Sequence, residues 1–356
     1  MLRKNNRHIA ILGIIFTLLF FSTFTVEAFA ASFQEEGTPQ YKRIAAISRP
    51  DPEGVPTRVT VGVYVLDIMA VDDLRQAFTA DFFLLVTWKD QRLAQESNTN
   101  PESPRIFQMD EIWQPFMTIL NERNLDRFYD EVLRVDDQGR VDYVQRLQGE
   151  LTTPLFLKDF PIDSQLLKIK ITSMRYGPDE VEFIMDEGRT GGRSTFSIPG
   201  WDVFGHAAEV TTERIEVQNR DVARIDFTAE AKRHIGYYVI KAIIPLLLII
   251  FMAWAVFFIP PTSLGPQIGV PTSSIFALFL FMHRISSLLP RISYLTRMDR
   301  FILGAITLVF LTLGESILTS VLALHDKQEL ALKIDRWARF VYLGIIIIVF
   351  LNAFVL

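Results

Sequence analysis

Residues 267–289 run QIGVPTSSIFALFLFMHRISSLL, and this stretch decides how the rest of the chain is understood. It is long and apolar enough for a helix across a bilayer, yet it carries Thr, Ser, His and Arg. Gly269, Ser273, Phe276, Leu280, His283 and Ser287 are spaced 4, 3, 4, 3 and 4 residues apart, so a helix puts them on one face. Ile275, Leu278, Phe279, Met282 and Ile285 take the opposite faces. A polar stripe on a membrane helix must face protein or water. Around a pore, Ser273, His283 and Ser287 are wetted, and rings of Phe276 and Leu280 make a narrow apolar section that closes by dewetting. In a non-conducting bundle the same stripe is interhelical glue. Pro266 falls at the start of the helix, where proline is tolerated. Pro271 lies beyond the first turn, and a distortion or late helix start is expected there.

Outward from this stretch, 237–259 is apolar except for Lys241, and 301–324 and 338–356 are two more runs of spanning length. Four helices are expected, near 235–259, 267–289, 301–324 and 336–356. A short charged turn, His325 to Asp335, joins the last two and leaves no cytoplasmic domain. Glu315, inside the third run, invites a functional reading as an intramembrane carboxylate. It is expected to be a neutral, hydrogen-bonded acid facing its neighbour.

Upstream, residues 55–232 change character. Thr57 to Asp67, Phe78 to Trp88, Arg140 to Leu151, Leu166 to Thr172, Val181 to Ile184, Asp202 to Thr212 and Val222 to Ala229 are short β-rich runs separated by Gly, Pro, Asp and Asn. This spacing predicts an antiparallel, immunoglobulin-like sandwich. Residues 31–54, rich in Pro, Glu, Gln and Ser, are expected to be a loose linker. Residues 1–30 carry a positive start, an apolar stretch and Ala28-Phe29-Ala30, which predicts a secretory signal. The sandwich is then exported. That fixes the first helix as running outward to inward, even though Arg291, Arg297 and Arg300 in the outer loop fit the positive-inside rule poorly.

A mean hydropathy of +0.23 suits a chain split between water and lipid. There is no cysteine, so the exported domain is held by packing alone and has no thiol nucleophile. Five scattered His form no metal motif, and no nucleophile–base pair or phosphate loop is visible. An enzyme, a cofactor and a metal site are therefore not expected. Residues 33–232 hold 35 acidic against 23 basic side chains, and residues 233–356 hold 5 against 10. So acidic a domain argues against nucleic acid and attracts cations.

Six stretches, in order, resemble the Cys-loop receptor superfamily, and in particular its prokaryotic pentameric ligand-gated ion channels. Trp88-Lys-Asp90-Gln-Arg92-Leu93 resembles the family's W-x-D-x-R-L strand end. Ile112-Trp113-Gln-Pro115, followed by Asn121, resembles its W-x-P segment. Asp137-Gln-Gly139-Arg-Val141-Asp-Tyr143, with Arg146, resembles its D-G-x-V strand pair, and Phe160-Pro161-Ile-Asp163-Ser-Gln165 the core of its signature loop. Lys232-Arg233, Tyr237-Tyr238 and Pro245 are similar to the entry to its first membrane helix, and Leu289-Pro290-Arg-Ile-Ser-Tyr294 to the loop after its pore helix.

The resemblance implies a homopentamer with a central pore lined by the second helix and an agonist site between neighbouring receptor domains. Its partners would be a small-molecule or proton agonist, permeant ions and membrane lipids, with no nucleic acid. Its place would be the bacterial inner membrane, with the receptor domain in the periplasm. The family's loop cysteines would fall at Thr153 and Leu167, so that disulfide is missing. The aromatic box that captures amines falls at Phe83, Leu120 and Met174, with Arg175 and Tyr176 beside it. Capture of a quaternary amine needs several aromatic faces, so acetylcholine-like agonists are expected to bind weakly. Arg175 suits an anionic ligand. The coupling zone maps to Asp72, Asp73, Phe160, Pro161, Asp163, Arg233, Pro290 and Tyr294, with Arg233 expected to pair with Asp163 and with Asp72 or Asp73. Neither a Glu ring nor a basic residue marks the inner mouth near Gly265-Pro266. The acidic vestibule leans the reading to cations, with an anion channel or a non-conducting membrane receptor as alternatives. His283 would sense pH if it faces water.

Overall fold

The computed structural model describes residues 47–51, 53–95 and 104–355. The expected signal segment and most of the expected linker lie outside them. The part of the linker that is described is tied down. Arg49 donates to the Val55 and Glu180 carbonyls, and Arg92 reaches the Ser48 carbonyl at 2.8 Å.

Among the described residues, twelve strands form the first half: β1 (Thr57–Asp72), β2 (Ala77–Lys89), β3 (Arg105–Gln108), β4 (Met117–Ile119), β5 (Glu122–Arg127), β6 (Val132–Val135), β7 (Arg140–Thr152), β8 (Ser164–Ser173), β9 (Val181–Met185), β10 (Gly191–Gly192), β11 (Trp201–Ile215) and β12 (Arg220–Arg233). One sheet has the order β10-β1-β2-β7-β6-β3, with β5 on β7 and β9 on β1; the other is β11-β12-β8-β4. The core is the layer between them. Val59, Val61, Val63 and Val65 alternate inward from β1. Leu167, Ile169, Ile171, Ile225 and Phe227 meet them from the facing sheet. Four short strands, β3 to β6, have no clear sequence signal because each is only 3–6 residues long. β5 reads ERNLDR, with every residue but Leu125 exposed. Gly149 shows why one glycine is needed. Its φ is +151°, and a Cβ there would run into the Asn124 carbonyl of β5.

Among the described residues, four helices are long and apolar enough to cross a membrane: α1 (Gly236–Phe258), α2 (Leu264–Ser286), α3 (Arg297–Leu324) and α4 (Gln328–Phe354). Pro245 in α1 has no N–H for the carbonyl one turn back, and the helix widens into a π turn over Val239–Ile243 just before it. In α2 the expected late start does not occur. The helix begins at Leu264 and runs unbroken through Pro271, which is buried. A single proline removes one backbone bond, and tertiary packing holds the rest. The expected turn from His325 to Asp335 is also mostly helix. α4 starts at Gln328, because Gln-Glu-Leu-Ala-Leu-Lys are strong helix formers and Ala331 and Asp335 are buried against the bundle.

Candidate functional site

The two halves of the chain meet around Arg233, the last residue of β12, three residues before α1 begins. Its side chain is 3% exposed. Nε and one terminal amine donate to Asp163 at 2.8 and 3.1 Å, and the two terminal amines donate to Asp73 at 2.8 Å each. The guanidinium lies over the Trp201 ring at 4.1 Å and near those of Phe160 and Tyr238 at 5.0 and 5.8 Å. Burial opposes its charge. Hydrogen bonds and attraction from Asp73 and Asp163 outweigh that and lift its pKa above the ordinary arginine value. Of the two acids in the β1–β2 turn, Asp73 is the one that meets Arg233. Asp72 accepts from the Arg75 N–H instead and shapes the turn.

The β7–β8 loop lies at the same junction. Its Phe160–Pro161 peptide is cis and both residues are buried. The Phe160 carbonyl accepts from the Met298 N–H at 3.2 Å, and the Tyr294 hydroxyl accepts from the Leu157 N–H at 3.1 Å. Arg297 at the head of α3 donates to Asp159 at 2.7 Å. Pro290 is half-buried in the loop that follows α2. The Arg297–Asp159 and Trp201–Arg233 contacts are not legible in the sequence, since no spacing links those residues.

No cysteines close this loop. The Thr153 hydroxyl donates to the Leu166 carbonyl at 3.2 Å. Gln165 bridges Phe156 from both sides, accepting from its N–H at 2.9 Å and donating to its carbonyl at 3.0 Å. Asn121 staples the two sheets, donating to the Thr152 and Lys168 carbonyls and accepting from the Lys170 N–H.

On α2, Gly269, Ser273, Phe276, Leu280, His283 and Ser287 all lie on the exposed side of the protomer. Phe276 is 67% and Leu280 75% exposed. Pro271, Ser274, Ile275, Leu278 and Ile285 are buried against the other helices. The Ser287 hydroxyl donates back to the Arg284 carbonyl at 2.7 Å.

The five expected ligand-site residues fall into two groups. Met174, Arg175 and Tyr176 follow β8. Arg175 lies 4.8 Å from the Phe116 ring and 6.0 Å from the Tyr176 ring. The Tyr176 hydroxyl accepts from the Trp113 indole at 2.8 Å. Arg220, from the β11–β12 hairpin, donates to the Met174 and Arg175 carbonyls. Met174 also lines a cavity of about 280 Å³ with Phe116, Leu133 and Tyr143. Half-buried Leu120 pairs its N–H with the Lys170 carbonyl at the end of β4. Phe83 sits on the other sheet, 6.0 Å from the Tyr129 ring and across from Arg146, whose guanidinium is bound by Asp81. Within one chain the two groups do not form a closed pocket.

Residues 41–239 match the model of the neurotransmitter-gated ion-channel ligand binding domain, and residues 242–353 that of the neurotransmitter-gated ion-channel transmembrane region. Among curated proteins, the chain is similar to a proton-gated ion channel of Gloeobacter violaceus. The two are 25% identical over 288 residues, covering 81% of this chain and 79% of the relative.

Proposed function

The chain belongs to the neurotransmitter-gated ion-channel family, and from that membership we propose that five copies form a channel whose pore is lined by α2 and passes monovalent cations. The observation that carries this reading is the exposed face of α2. A bulky Phe and Leu turned away from their own bundle, in line with Ser273, His283 and Ser287, need a partner, and a ring of five such helices supplies one. Phe276 and Leu280 then form the constriction. The sandwich sits on the periplasmic side of the inner membrane, and its excess of acidic side chains draws cations towards the mouth.

The agonist is a small molecule or a proton, acting where the Leu120, Met174, Arg175 and Tyr176 group of one copy faces Phe83 of the next. The division of these residues between two surfaces supports a site completed by a neighbour. Proton gating, for which the Gloeobacter violaceus relative is named, is the first condition to try. Agonist binding reaches the pore through Arg233, whose buried ion pairs with Asp73 and Asp163 can break and re-form between two arrangements.

The test is voltage-clamp recording from liposomes carrying the protein, in asymmetric salt, with pH steps and with small acids and amines. A stimulated current altered by Phe276→Ala supports the reading. Assembled pentamers that pass no current under any of these conditions would reduce it to a membrane-anchored binding receptor.

A further inference from the structure

Glu315 of α3 and Asp335 of α4 face each other at hydrogen-bonding range between the two helices. Asp335 is 1% exposed, and both Glu315 carboxylate oxygens are shut off from solvent. By helical rise, the pair lies about 10–13 Å from the turn that joins the helices. Among the described residues no donor reaches either Glu315 oxygen or Asp335 Oδ1. The nearby hydroxyls do not fill the gap. Thr319 reaches Asp335 but donates its one hydroxyl proton to the Glu315 carbonyl at 3.1 Å, and the Ser316 and Ser320 hydroxyls make no bond to the pair. Charge compensation is thin as well. Arg339, one turn along α4, acts on Asp335, but its guanidinium is spent on the Phe257 carbonyl at 2.9 and 3.1 Å. α1 brings Trp254 and that carbonyl to this region. The titratable groups of α2, His283 and Arg284, are at its far end.

Two carboxylates with only acceptors between them are not stable as a pair of anions, since like charges at this range in a low dielectric repel strongly. One bridging proton turns one acceptor into a donor and makes a hydrogen bond where there would be repulsion. We propose that Glu315 and Asp335 form a proton-binding site inside the membrane domain, holding one shared proton that fastens α4 to α3. The shared proton is part of the α3–α4 contact, so alkali that removes it restores the repulsion and weakens that contact. The site is independent of whether the pore conducts.

Infrared spectra of the full-length protein in lipid, in H2O and D2O, test this directly. A neutral carboxylic-acid band that shifts in D2O is expected at neutral pH and should be lost in both Glu315→Gln and Asp335→Asn. The melting temperature of the wild type should fall as alkali removes the band, while that of Glu315→Gln stays flat, because its amide donates without a titrating proton. A band unchanged in both variants overturns the proposal. So does melting that depends on sodium at fixed pH and ionic strength with no such band, which would assign the gap to a metal cation. If neither variant assembles, wild type labelled with carbon-13 on Glu or on Asp decides: the band must move with one label, and a band that moves with neither overturns the proposal.

Discussion

Arg233 shows what one side chain holds at this junction. It places four charge-assisted hydrogen bonds on two carboxylates in a site nearly closed to water. Arg233→Gln leaves Asp163 buried without its partner and is expected to cost about 3–5 kcal/mol, read as a large drop in the melting temperature of the purified protein. Arg233→Lys keeps the charge but loses the fork geometry. It is expected to assemble and to need more agonist for half-maximal current; an unchanged dose–response curve would remove Arg233 from the coupling path. Gln165 is the second telling residue, because its two bonds to Phe156 tie the β7–β8 loop without a covalent link. Gln165→Ala strands the Phe156 N–H and carbonyl and is expected to cost about 1–3 kcal/mol. Gln165→Glu sets a second carboxylate against Asp163, 2.5 Å from the present amide, and should destabilise more than the alanine variant.

At the level of the element, α2 carries the strongest prediction. Its buried face, Ile275, Leu278 and Ile285, is ordinary bundle packing, whereas Phe276 and Leu280 make no contribution to the core of their own protomer. Phe276→Ala should therefore leave the melting temperature nearly unchanged while raising basal current several-fold. Leu278→Ala, in a site that is 0% exposed, should instead cost about 2–5 kcal/mol. If both variants behaved alike in both measurements, the assignment of the two faces would be wrong. The strands were uneven in how far the sequence revealed them. β1, β2, β7, β8, β11 and β12 are long and β-rich. β3 to β6 and β10 are only 2–6 residues long, so period and propensity say little about them.

On the scale of the whole molecule, charge and hydropathy divide the chain into an acidic sandwich and a more basic apolar bundle. In asymmetric salt, the reversal potential of the open channel is expected to move toward the cation equilibrium. Movement toward the anion equilibrium would sink the selectivity reading and leave the channel reading standing. The two halves are joined at more than the covalent link from β12 to α1. Arg233 with Asp73 and Asp163, Arg297 with Asp159, and the Tyr294 and Met298 bonds to the β7–β8 loop all cross the boundary. On the proposed reading, these are the contacts through which a push on the sandwich reaches α3 and the loop before it.

The sequence by itself determined the sandwich followed by four membrane helices, because strand alternation, helix length and the polar stripe on α2 are local, periodic signals. It also placed the acids and the arginine of the junction through ordered motifs. Only the tertiary structure decided that Asp73, not Asp72, meets Arg233, since a turn orients neighbouring side chains in ways that spacing does not record. Only the fold brought Glu315 to Asp335 and left both Glu315 oxygens and one Asp335 oxygen without a donor. The two residues are 20 positions apart on separate helices, and whether they meet depends on the rotation of α4 against α3. Periodicity fixes the face of a helix; packing fixes what that face meets.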